Sequence, residues 1–161
     1  MRTLSKKWRG FDFDVSEWER AITPLAWEFP RDHGKHPTYK TEWWYFSGLL
    51  QDTISYHVCF FRHGEKHFAH ASFINHETGE KRNENITPKN VTFMPGMNIA
   101  YDDWKVEQHA PDRFYLSVAD ILKFDLKVVT PRLLRGDHGL SAKGENPGEA
   151  SHYYSFPDLR T

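Results

Sequence analysis

The chain has 161 residues, enough for one domain that buries about 70% of its unfolded surface. Its 21 basic and 22 acidic side chains leave a formal net charge of −1, which gives no electrostatic case for nucleic acid as a partner. A lone cysteine, Cys59, excludes an intrachain disulfide scaffold, and no apolar run reaches the roughly 18 residues that a membrane-spanning helix needs.

Residues 1–26 read as an N-terminal arm. The start lacks the apolar core of a signal peptide, so a cytoplasmic location is expected, with peripheral membrane association left open. Lys6-Lys7-Trp8-Arg9 is a solvated basic patch, and Ser16-Glu17-Trp18-Glu19 has capping-box spacing. Val15, Trp18 and Ile22 fall at roughly helical intervals, which predicts a short helix ended by Pro24.

Residues 27–161 carry a β pattern. After a polar loop at 30–41, strands are predicted over 42–50, 55–62 and 68–75, then over 91–94, 97–100, 104–108, 114–118, 123–129 and 152–156. Turn clusters such as Gln51-Asp52-Thr53, His63-Gly64-Glu65 and Pro95-Gly96 separate them. No long amphipathic helix stands between them to serve as a parallel crossover. The expected fold is therefore all-β and antiparallel, a barrel or a sandwich. The glycine-rich stretch 135–149 reads as one long loop, either a lid or a connector.

Six Trp, seven Tyr and twelve Phe concentrate the apolar area in a few large side chains. The strand 42–50 shows this best. Glu42, Trp44 and Phe46 share one face, and Trp43 and Tyr45 share the other. Rings on both faces place this strand between two apolar layers, or between one layer and a pocket. Glu42 is then a carboxylate on an aromatic wall.

Phe29-Pro30-Arg31-Asp32-His33-Gly34 followed by Thr41-Glu42-Trp43-Trp44-Tyr45 resembles the signature of the carotenoid 1,2-hydratase/AttH family. Further matches follow in the same order: Phe60-Phe61-Arg62, Ala69-His70-Ala71, Gly136-Asp137-His138-Gly139-Leu140-Ser141, and Ala150-Ser151-His152-Tyr153-Tyr154-Ser155. The resemblance covers about residues 27–158. It implies a lipocalin-like β-barrel or sandwich over 27–161, the first half of a two-domain protein. It further implies an apolar isoprenoid- or polyketide-like ligand, with hydration or hydrolysis supported when the protein is complete. The interval from Arg62 to His70 is shorter than in the family pattern. The family's second half, with its acid-bearing stretch, has no counterpart here, so the isolated chain is expected to be inactive. A second lipocalin-like domain or a homo-oligomer is the implied partner, and no cofactor is implied.

Hydration of an unactivated alkene needs a strong general acid and aromatic shelter for a cation-like centre. Glu42 and His70 are the candidate catalytic groups. The plainer reading of Glu42 is a structural carboxylate paired with Arg31, Arg62 or a backbone donor, and that of His70 is a core histidine bonded to a carbonyl. Trp43, Trp44, Tyr45, Phe61, Arg62, Tyr153 and Tyr154 are the candidate ligand-binding residues. Arg62 could instead pair with Glu42 or stack on a ring, and the two tyrosines could be plain strand packing. Asp32 reads as a turn residue ahead of a catalytic acid. His33 and His36, like His67 and His70, are spaced three apart, but on a loop and a strand that spacing does not favour a metal, and none is expected. Cys59 shares a face with His57 and reads as a small buried hydrophobe ahead of a dyad nucleophile. The alternative function is a non-enzymatic module that binds hydrophobic ligands, or an assembly domain.

Overall fold

The structure, a computed structural model, describes residues 18–161. Strands β1 (Thr41–Leu50), β2 (Ile54–His63), β3 (Lys66–Asn75) and β4 (Lys81–Ile86) form one antiparallel sheet in chain order. Strands β5 (Val91–Met94), β6 (Asn98–Tyr101), β7 (Trp104–Ala110), β8 (Arg113–Val118) and β9 (Leu122–Val128) form an antiparallel meander. Two short ribbons follow. One pairs β10 (Leu133–Leu134) with β13 (Tyr154–Ser155), and the other pairs β11 (Leu140–Ala142) with β12 (Ala150–His152). Finally β14 (Leu159–Arg160) returns to β9 and completes a second sheet ordered β14-β9-β8-β7-β6-β5. A 3-10 turn at Arg31–His33 is the only helical element among the described residues, and no helix there is long and apolar enough to cross a membrane.

Alternation along the strands produces the core. Trp44 and Phe46 of β1 point inward with Val58 and Phe60 of β2 and the small Ala69 and Ala71 of β3. They meet Ile99, Tyr101, Val106, Leu116 and Leu126 from the second sheet in one continuous cluster. Phe60 and Tyr101 pack edge to face across the layer, ring centroids 5.4 Å apart. The Tyr101 hydroxyl donates to the Phe61 carbonyl at 3.2 Å, so the buried ring keeps its polar tip satisfied.

The all-β antiparallel expectation holds, in its sandwich form. A closed barrel does not form. β1 is ten residues long and edges one sheet, while the two-residue β14 edges the other and pairs with β9. So short a strand cannot ladder onto β1, and the seam between those edges stays open.

Other differences have local causes. β4 (KRNENI) has almost no apolar alternation and exists through its pairing with β3 at the sheet edge. The single strand predicted at 152–156 breaks at Tyr153, because its halves pair with different partners. The stretch 135–149 contains β11 as well as loop. The short helix predicted around residues 15–22 begins outside the described residues. Residues 18–26 are irregular, with Glu19 N–H donating to the Thr38 carbonyl at 3.0 Å.

Candidate functional site

A cavity of about 770 Å³ lies at the open seam. β1 supplies one wall, the loop 30–41 a second, and the returning segment 148–156 a third. Because β1 is a sheet edge, residues of both its faces reach the cavity rim: Trp44 and Phe46 from the core side, Trp43 and Tyr45 from the other. The Tyr45 and Tyr153 hydroxyls hydrogen-bond to each other. Burial and that bond push the Tyr45 phenol up to about 12. The Trp27 indole stacks on Phe29 at 5.5 Å and donates to the His138 carbonyl at 3.1 Å, fastening the 136–139 turn to the cavity wall.

Behind this wall lies an aromatic clasp around His33. The imidazole is 2% exposed and sits among Phe29, Phe114 and Phe156. Its Nδ1 shares a 2.7 Å hydrogen bond with the Tyr154 hydroxyl, and its backbone carbonyl accepts from the Trp44 indole at 2.9 Å. Burial first and Arg132 second lower the imidazole to about 4, against the opposing effect of Asp32. His33 is therefore a neutral packing residue that joins the 3-10 turn to β13 and β1. Burial also raises the Tyr154 phenol.

On the other side of the turn runs a chain of charged groups. Arg62, 1% exposed, donates through Nε and Nη2 to Glu42 Oε2 at 2.9 and 2.8 Å. It also reaches the carbonyls of His36 at 3.0 Å, Gly64 at 3.3 Å and Tyr39. The other Glu42 oxygen accepts from the His36 backbone N–H at 2.7 Å and from its Nδ1 at 2.9 Å. The His36 Nε2 faces Asp32 Oδ1 at 3.4 Å. Asp32 Oδ1 also accepts from Arg31 Nε at 2.7 Å, and its Oδ2 from the Glu28 N–H at 2.6 Å. Burial alone would raise the Asp32 carboxyl, but Arg31, the Glu28 N–H and His36 outweigh it and hold it below the usual range. His36 is raised, chiefly by its bond to Glu42 and against the effect of burial. The register explains why these groups meet: Glu42 and Arg62 are direct cross-strand partners, and the turn folds His36 back over them.

Of the residues predicted from sequence, Glu42, Trp43, Trp44, Tyr45, Tyr153 and Tyr154 line the cavity. Arg62 lies beneath Glu42 as its ion-pair partner. His70 and Phe61 stand elsewhere. His70 sits on β3, two strands from β1, on the outer face of the first sheet, stacked on His57 with centroids 5.1 Å apart. Its Ala69 and Ala71 neighbours turn the opposite way, into the core, as strand alternation requires. Phe61 stacks on Phe68 on that same outer face at 4.4 Å. Cys59 is buried beside them, and burial pushes its thiol up to about 11, far from a thiolate at neutral pH. His36 is the residue that sequence reasoning missed as a site group.

A family model described as AttH-like matches residues 20–161. The chain is similar to a crystal structure of a candidate AttH from Nitrosomonas europaea, with 26% identity and a TM-score of 0.75. That match covers 86% of this chain and 49% of the other, so the chain spans about half the length of that structure. No curated protein matches the chain at a significant level.

Proposed function

We propose, from the premise that this chain belongs to the AttH-like family, that its seam cavity binds an apolar ligand of isoprenoid or polyketide type. The observation that carries this reading is the cavity of about 770 Å³ walled by Trp43, Trp44, Tyr45, Tyr153 and Tyr154. Such a volume lies in the range of small-molecule pockets, and flat rings suit an extended unsaturated chain. A hydratase or hydrolase activity, including the carotenoid 1,2-hydratase type, is proposed only for a complete two-domain protein, in which this chain would supply one binding wall.

The test is titration with diphenylhexatriene, a polyene that fluoresces when removed from water. The expected result is saturable micromolar binding at one site. Ala150→Trp, which places an indole in the cavity from β12, is expected to weaken binding on the order of tenfold, about 1.4 kcal/mol, with the fold retained by circular dichroism. A flat titration would sink the reading.

The assembly reading also has an observation behind it. Tyr45, Leu49, Phe68 and Ile74 leave the outer face of the first sheet partly apolar and exposed. The proposed occupant is a second lipocalin-like domain, because the matched structure has about as much polypeptide again outside the match.

A further inference from the structure

We propose that His36 sets the polar specificity of the cavity, donating a hydrogen bond to a neutral oxygen acceptor, a ketone or ester carbonyl, on an otherwise apolar ligand. This rests on the apolar-ligand reading above. Among the polar groups of the wall, most already have close partners. Both Glu42 oxygens are taken by Arg62 and His36. The Tyr45 and Tyr153 hydroxyls hold each other, and Tyr154 holds His33. His152 Nε2 bonds the Thr23 carbonyl at 2.8 Å, and Lys143 reaches Ser141 at 3.2 Å.

His36 differs. Its Nδ1 is anchored to Glu42 at 2.9 Å, which fixes the ring, while its Nε2 stands 3.4 Å from Asp32, near the limit of a hydrogen bond. The side chain is 27% exposed and lines the cavity. Both nitrogens face carboxylates, which accept only, so each carries a proton. Exchanging the long contact to Asp32 for a ligand oxygen would cost little, since Asp32 keeps Arg31 and the Glu28 N–H.

The charged groups nearest His36 are paired with one another, Arg31 with Asp32 and Arg62 with Glu42. Asp32 and Arg31 face His36 from the 3-10 turn, Glu42 from β1 and Arg62 from β2, and the Tyr39 ring lies 6.4 Å away. A ligand carboxylate would have to share one N–H with Asp32 at close range, whereas a carbonyl adds no charge to the repulsion.

The experiment uses 2-undecanone, undecane and undecanoate as competitors of diphenylhexatriene, with the protein 15N-labelled at histidine. The expected results are that His36 carries protons on both nitrogens at pH 7, and that 2-undecanone moves its Nε2 resonance while undecane does not. The ketone is expected to bind about tenfold tighter than the alkane, and His36→Phe is expected to bring the ketone-to-alkane affinity ratio down to about one. The ring signals of the unsubstituted protein decide the matter even if His36→Phe is poorly folded. Displacement of the probe by 2-undecanone with a silent Nε2, equal affinity for ketone and alkane, or tighter binding of undecanoate would each overturn the role of His36 and leave the cavity reading standing. Failure of every competitor and of the probe itself would overturn both.

Discussion

Arg62→Met is expected to lower folding stability by about 3–5 kcal/mol, measured by urea denaturation at pH 7. The guanidinium is 1% exposed and Glu42 keeps only 11% of its side chain in solvent, so removing one partner strands a charge in a low-dielectric site. The carbonyls of His36, Tyr39 and Gly64 lose their donor at the same time. Measured against a typical total of roughly 5–15 kcal/mol, this is a large fraction. Pairing it with Glu42→Leu should recover part of the loss, because the stranded carboxylate is then gone. A single-variant cost below about 1 kcal/mol would mean that the ion pair does not organise the cavity floor. The same contacts hold the 36–40 loop in place, so the variant should also bind diphenylhexatriene more weakly.

Acid is expected to destabilise the protein well above the carboxylate range, through His33. The sign follows from linkage. Its folded value of about 4 lies below the ordinary 6.5, so the unfolded chain takes up the proton first as pH falls. Stability is fully present above pH 6.5 and falls progressively down to about pH 4, by about 3 kcal/mol in total. His36 works in the opposite direction. Its raised value contributes stability that is present below 6.5 and lost as pH rises through its folded value. The clean measurement is therefore the difference in urea-derived stability between the unsubstituted protein and His33→Gln, followed from pH 7 to pH 4. That difference should shrink by about 3 kcal/mol on acidification. A difference that does not change with pH would show that the His33 ring takes up its proton at an ordinary pH.

Much of this architecture was legible in the strand alternation. The run from Glu42 to Leu50 announced two faces, and Trp44 and Phe46 do enter the core while Tyr45 stays at the rim. Closure was not legible, because it depends on how long a strand returns to the second sheet, and Leu159–Arg160 carries no pattern that reveals this. β4 was invisible for a related reason: Lys81–Ile86 is polar and becomes a strand through its neighbour.

At the site, Glu42 stood out by its place on a two-faced aromatic strand, and Tyr153 and Tyr154 by their adjacency in an aromatic run. The position of His70 required the register, in which it pairs with Cys59 and lies two strands from β1. His36 was hidden in a proline-bearing loop, where spacing says little about direction. The signal that could have found it is the arginine at position 62. A buried arginine opposite Glu42 needs acceptors beyond one carboxylate, and the nearest chain able to supply carbonyls is the 36–40 loop.

Filtered NOE spectroscopy of diphenylhexatriene bound to the labelled protein tests the central claim most directly. The cavity at the β1 seam predicts cross-peaks from the polyene to the rings of Trp27, Trp44 and Phe46. Cross-peaks to His57, Phe61, Phe68 and His70 instead would place the ligand on the outer face of the sheet and contradict it.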